Sequence, residues 1–151
     1  MKTFPKLLTI FIIIMLQSCG INDCDVDCSS GPLSFRFELL DAVTGENLFT
    51  NGTFDSEDIK VIDLEDNGSG QFKFISEDDI NLINIGPIGW EVETVNYSIQ
   101  VANEEIFTLY VSAEEAKENC CTFTKLNELR IENTAYELNT ETGVYEIFVK
   151  I

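Results

Sequence analysis

From Leu33 onward apolar and polar positions alternate. Phe35, Phe37 and Leu39 are separated by Arg36 and Glu38, the period-two pattern of a strand with one buried and one wet face. The same alternation returns in Tyr97, Ile99 and Val101, in Phe107, Leu109 and Val111, and in Tyr145, Ile147, Val149 and Ile151. Apolar runs at residues 59–64 and 80–85, and the pair Leu129 and Ile131, extend the series. Between the runs lie turn residues: Asp66-Asn67-Gly68-Ser69-Gly70, Gly86-Pro87-Ile88-Gly89, Asn103-Glu104, and the hairpin dipeptide Asn51-Gly52. Residues 71–75 are expected to fold back on residues 59–64, with Phe72 and Phe74 turned inward. About eight short strands separated by turns predict an all-β domain, an antiparallel β-sandwich of immunoglobulin-like or transthyretin-like type, over residues 33–151. One stretch predicts a helix. Ser112 and Glu115 make a capping box ahead of residues 113–119.

The first 32 residues follow a different rule. Residues 1–6 carry Lys2 and Lys6 and no acid, and residues 7–16 are apolar apart from Thr9. A membrane-spanning helix needs roughly 20 apolar residues, so this run is a signal-peptide core rather than a span. It ends in Leu16-Gln17-Ser18-Cys19, which resembles the lipobox cut by lipoprotein signal peptidase. Residues 1–18 are therefore expected to be removed and Cys19 to carry lipid, which anchors the chain to a membrane. Residues 19–32 are acidic, rich in turn formers and cysteine, and read as a tether.

Four cysteines remain: Cys24, Cys28, Cys120 and Cys121. An even number in an exported chain points to disulfides. A Cys120–Cys121 bridge is disfavoured, because neighbouring Cα atoms lie about 3.8 Å apart and a relaxed disulfide wants about 4.4–6.8 Å. Both other pairings join the first two cysteines to the last two. A four-thiolate zinc site is a poor fit, because adjacent Cys120 and Cys121 lack the usual spacing.

Charge narrows the partners. The chain carries 27 acids, 9 bases and no histidine, a net charge of −18. Nucleic acid and anionic lipid headgroups are repelled, which leaves cations, basic proteins and neutral glycans. The missing histidine excludes Ser-His-Asp and Cys-His triads. No catalytic constellation is visible, although a carboxylate pair of glycoside-hydrolase type needs no histidine. Calcium (Ca2+) has two partial loops, Asp23, Asp25 and Asp27, and Asp63, Glu65 and Asn67. A calcium loop closes with a bidentate Glu at its twelfth position, where these loops have Ser34 and Phe74. Trp90 is the only tryptophan. It either stacks on a sugar or belongs to the core or rim of the sandwich, the commoner place for a lone tryptophan.

The lipobox, the cysteine-bearing tether, Phe35-Arg36-Phe37, Thr44-Gly45-Glu46-Asn47-Leu48-Phe49 and Cys120-Cys121-Thr122 together resemble small uncharacterised lipoproteins of Bacteroidota, of the Flavobacteria type. The resemblance implies an outer-membrane lipoprotein, on the periplasmic face or the cell surface. It carries no activity with it. The expectation is a non-enzymatic binding or accessory module that contacts an envelope protein or a neutral glycan. A carboxylate-based hydrolase and a calcium-stabilised structural domain are the alternatives.

Overall fold

The computed structural model describes residues 31–77, 80–91, 93–118 and 121–151. Nine strands are found among them: β1 (Leu33–Asp41), β2 (Ile59–Asp63), β3 (Phe72–Ile75), β4 (Leu82–Ile88), β5 (Thr94–Val101), β6 (Glu104–Glu118), β7 (Cys121–Glu132), β8 (Ala135–Asn139) and β9 (Val144–Val149). A 3-10 turn, Ser56–Asp58, leads into β2. The strands form two sheets, ordered β3-β4-β1-β9-β8 and β2-β5-β6-β7. The expected all-β sandwich is present. One pair departs from antiparallel order, since β1 runs parallel to β9 from Arg36↔Val144 to Asp41↔Val149.

Alternation explains the core. Phe37, Leu39, Ile83, Ile85 and Ile147 from one sheet meet Ile99, Phe107 and Leu109 from the other, and all are wholly buried. The Phe37 and Phe107 rings sit 5.0 Å apart, centroid to centroid. Each such side chain contributes about 1.5–3 kcal/mol through the apolar surface it removes from water.

Three local expectations give way. Residues 113–118 are strand, not helix: β6 runs through to Glu118. Ladder pairing with β7, from Ala113↔Leu126 to Glu118↔Cys121, overrides a capping box that could support less than two turns, and helix nucleation is costly at that length. Residues 72–75 pair with β4 rather than with β2; the link back to β2 is the bridge Ile62↔Ser69. The β5–β6 hairpin turns at Ala102 and Asn103, not Asn103 and Glu104. Both turn residues have positive φ, 52° and 67°, as a two-residue turn matched to strand twist requires.

Strand β6 has two halves. Strand β5 pairs with it only up to Thr94↔Ser112. Past an irregularity between Ser112 and Ala113, the ladder among the described residues is with β7 alone. A two-stranded ribbon thus extends from the four-stranded sheet.

Candidate functional site

The ribbon leaves the sandwich at the end where β1 and β5 begin and β4 finishes. A cleft of about 270 Å³ lies there, lined by Pro32, Gln71, Pro87, Trp90 and Glu91. A second hollow of about 160 Å³, formed partly by Ser69, Ile88 and Tyr97, shares Gln71 and Pro87 with it. The two make one groove.

Two glycines shape its wall. Gly86 has φ +150°, and a Cβ there would lie 2.8 Å from the Leu33 carbonyl oxygen. Gly89 has φ +107°; a Cβ on it would collide with the Thr124 side chain and come within 3.2 Å of the Ala113 Cβ. Only glycine combines this backbone conformation with so close an approach. Ile88 between them is buried. The chain is therefore held flat against β1 and the ribbon, and the next residue, Trp90, is directed outward. Its surface is 43% exposed, unusual for a large aromatic that could have been buried.

The opposite wall is equally constrained. Gly70 donates its N–H to the Val61 carbonyl at 2.9 Å, and a Cβ on Gly70 would sit 3.1 Å from the Tyr97 ring. Burial, with the charges of Asp63 and Asp66 behind it, pushes the Tyr97 hydroxyl above the usual phenol range. It stays protonated at neutral pH and remains a hydrogen-bond donor. Gln71 and Glu91 are exposed. Among the described residues neither side chain is engaged by a hydrogen bond or an ion pair, so both face the groove with donor and acceptor groups open.

The sequence-derived candidates scatter. Cys19, Cys24, Cys28, Asp23, Asp25, Asp27 and Cys120 lie outside the described residues. Asp63 ends β2, and Glu65 and Asn67 fall on the turn that follows it. There Asp63 Oδ1 accepts the Glu65 N–H at 2.9 Å and Asp66 Oδ1 accepts the Gly68 N–H at 2.6 Å. These carboxylates cap their own turn. No group of three or more His, Cys, Asp or Glu placed to hold a metal ion occurs among the described residues.

A larger cleft, about 460 Å³, opens at the other end of the sandwich beside Glu105, Asn133 and Lys150. Of its polar side chains, Glu105, Asn133 and Thr134 are engaged internally, whereas Glu104 and Lys150 are exposed and make no side-chain hydrogen bond or ion pair among the described residues. Glu105 accepts the Ser98 hydroxyl at 2.6 Å and the Asn133 amide at 3.0 Å. It is a hydrogen-bonded joint between strands.

Sequence reasoning singled out Trp90 but missed Gln71, Pro32 and Pro87. Their usable signal was a cluster of rigid and glycine residues around the sole tryptophan. No family model, curated protein or solved structure matches the chain.

Proposed function

We propose that this chain is a non-enzymatic binding module of a bacterial envelope, held at the outer membrane by lipid on Cys19, with the Trp90 groove as its contact surface. The observation that carries the reading is the groove itself: an outward-facing indole on rigid walls, beside two polar side chains with no partner of their own. The partner is an envelope protein or a neutral glycan. Hydrolysis by paired carboxylates asks for two acids facing one site, about 5–10 Å apart, and the described lining of the groove carries one, Glu91.

The tether reading extends to the cysteines: Cys121 pairs with Cys24 or Cys28. Two features support it. Cys121 is disulfide-bonded. The Thr124 hydroxyl donates to the Gly31 carbonyl at 2.9 Å, and Thr124 is three residues from Cys121 while Gly31 is three from Cys28. An extended chain covers about 10 Å in three residues, so Cys28 is within reach of Cys121.

Mass spectrometry of the mature protein tests the anchor. A diacylglycerol-modified Cys19 is expected, and Cys19→Ala should lose the lipid and keep residues 1–18 attached. An unmodified N-terminus in the parent, or normal removal of residues 1–18 in Cys19→Ala, overturns the reading. Non-reducing peptide mapping tests the pairing; a Cys120–Cys121 bridge would remove it.

A further inference from the structure

We infer that the Trp90 groove takes a neutral glycan, with the indole as stacking platform and Gln71 and Glu91 reading the sugar hydroxyls. This rests on the binding-module reading above and names the class of its ligand. Three independent observations point the same way.

The first is surface chemistry. A pyranose ring presents a flat C–H face edged by hydroxyls, so its complement is a flat apolar surface edged by donors and acceptors. Trp90 supplies the surface, Gln71 and Glu91 line the same cleft, and Ser69 and the protonated Tyr97 line the adjoining hollow. An indole has an apolar body, and Gln supplies both donors and an acceptor.

The second is size. A protein partner needs about 800 Å² of surface on each side, centred on a large dry anchor. A cleft of about 270 Å³ with open polar groups is scaled to one or two units of a chain whose remainder stays in water. Its walls are set by Pro32, Pro87 and the two glycines packed on neighbouring backbone and side chains, so little conformational entropy is lost on binding.

The third is charge. Glu91 lines the cleft, Asp63 and Asp66 stand behind Tyr97, and the chain as a whole is at −18. Uronates and sulfated sugars are disfavoured by that field. A glycan without charge is not.

Trp90 is the only tryptophan, so its fluorescence reports on the site without a label. The purified lipidated protein, in a detergent without a sugar headgroup, is titrated with laminarin, xyloglucan, galactomannan and soluble starch, and with alginate and dextran sulfate as anionic controls. Saturable change in emission is expected with at least one neutral glycan and with neither control. In affinity gels containing the positive glycan, Trp90→Ala should weaken retention about tenfold, or roughly 1.4 kcal/mol. Trp90→Phe should keep part of it, and Gln71→Ala should weaken it with stability unchanged.

The inference is overturned by silence with all four neutral glycans, by equal response to the anionic ones, or by full retention of Trp90→Ala. A correctly lipidated protein that binds none of them removes the glycan and leaves the module reading standing. An unlipidated protein that binds one removes the anchor and keeps the glycan.

Discussion

The two ends of the sandwich carry clefts of opposite character. At the far end Glu105 accepts from both Ser98 and Asn133, and the side chains left open, Glu104 and Lys150, are of opposite charge. At the groove end, rigid glycine and proline walls hold Trp90, Gln71 and Glu91 out toward water. The larger cleft has no exposed aromatic in its lining, and is the poorer platform for a flat ligand face. Volume measures space, whereas binding depends on groups whose interactions are not already made inside the protein.

The comparison breaks most sharply at Gly89. Gly89→Val puts a branched Cβ against the Thr124 side chain and within 3.2 Å of the Ala113 Cβ, at φ +107°. It should cost about 2–4 kcal/mol by combined overpacking and backbone strain, read as a lowered urea midpoint. Gly143, on the turn before β9, has φ +69° and open surroundings apart from the Arg36 guanidinium at 3.5 Å. Gly143→Ala should cost only the left-handed penalty, about 1–2 kcal/mol. Equal losses at the two glycines would mean that the groove wall is not held by contact with the ribbon.

Next in size is Glu105→Ala. Ser98 is 1% exposed, and its hydroxyl oxygen already accepts from Gln100 at 3.2 Å. Without Glu105 its O–H has no acceptor, and an unpaired buried polar group costs about 1–3 kcal/mol. Glu91→Ala, in the groove, should leave the denaturation midpoint within about 0.5 kcal/mol of the parent. A matching loss in Glu91→Ala would show that Glu91 is structural.

Those contrasts also mark what could be read from residues alone. The core was legible, because alternation at Phe35–Leu39, Tyr97–Val101 and Phe107–Val111 directly encodes which face is buried. The partner of each strand was not. Phe72–Ile75 chose β4 over β2, a choice made by packing rather than by the turn that precedes it. The 113–118 segment misled because its capping box is a local signal, and the ladder that overrode it comes from residues 121–126. The groove was half legible. The sole tryptophan stood out, but its exposure depends on Gly89 lying against Thr124, a contact 35 positions away in the sequence.

The smallest expected effects are set by pH, and they separate the ends by sign. Asp41, near the far end, accepts the Val43 and Thr44 N–H groups at 2.7 and 2.9 Å, and these bonds, chiefly that from Thr44, hold its carboxyl below the usual range. A lowered folded value means that the stabilising bonds are fully present above the unfolded carboxylate range and fade as pH falls through the folded value. Tyr97, in the groove, is raised by burial and by Asp63 and Asp66. Its contribution is present below the unfolded phenol value and is lost as pH rises through the folded one. Asp41→Asn should therefore flatten the acid limb of the stability profile and leave the alkaline limb alone, while Tyr97→Phe should do the reverse. Tyr145 is also raised, first by burial and then by Tyr136, so phenol absorbance alone will show two late-titrating groups and Tyr97→Phe is needed to assign one. If Tyr97→Phe left both late phenols in place, the groove hydroxyl would be freely solvated and its role as a protonated donor at high pH would fall.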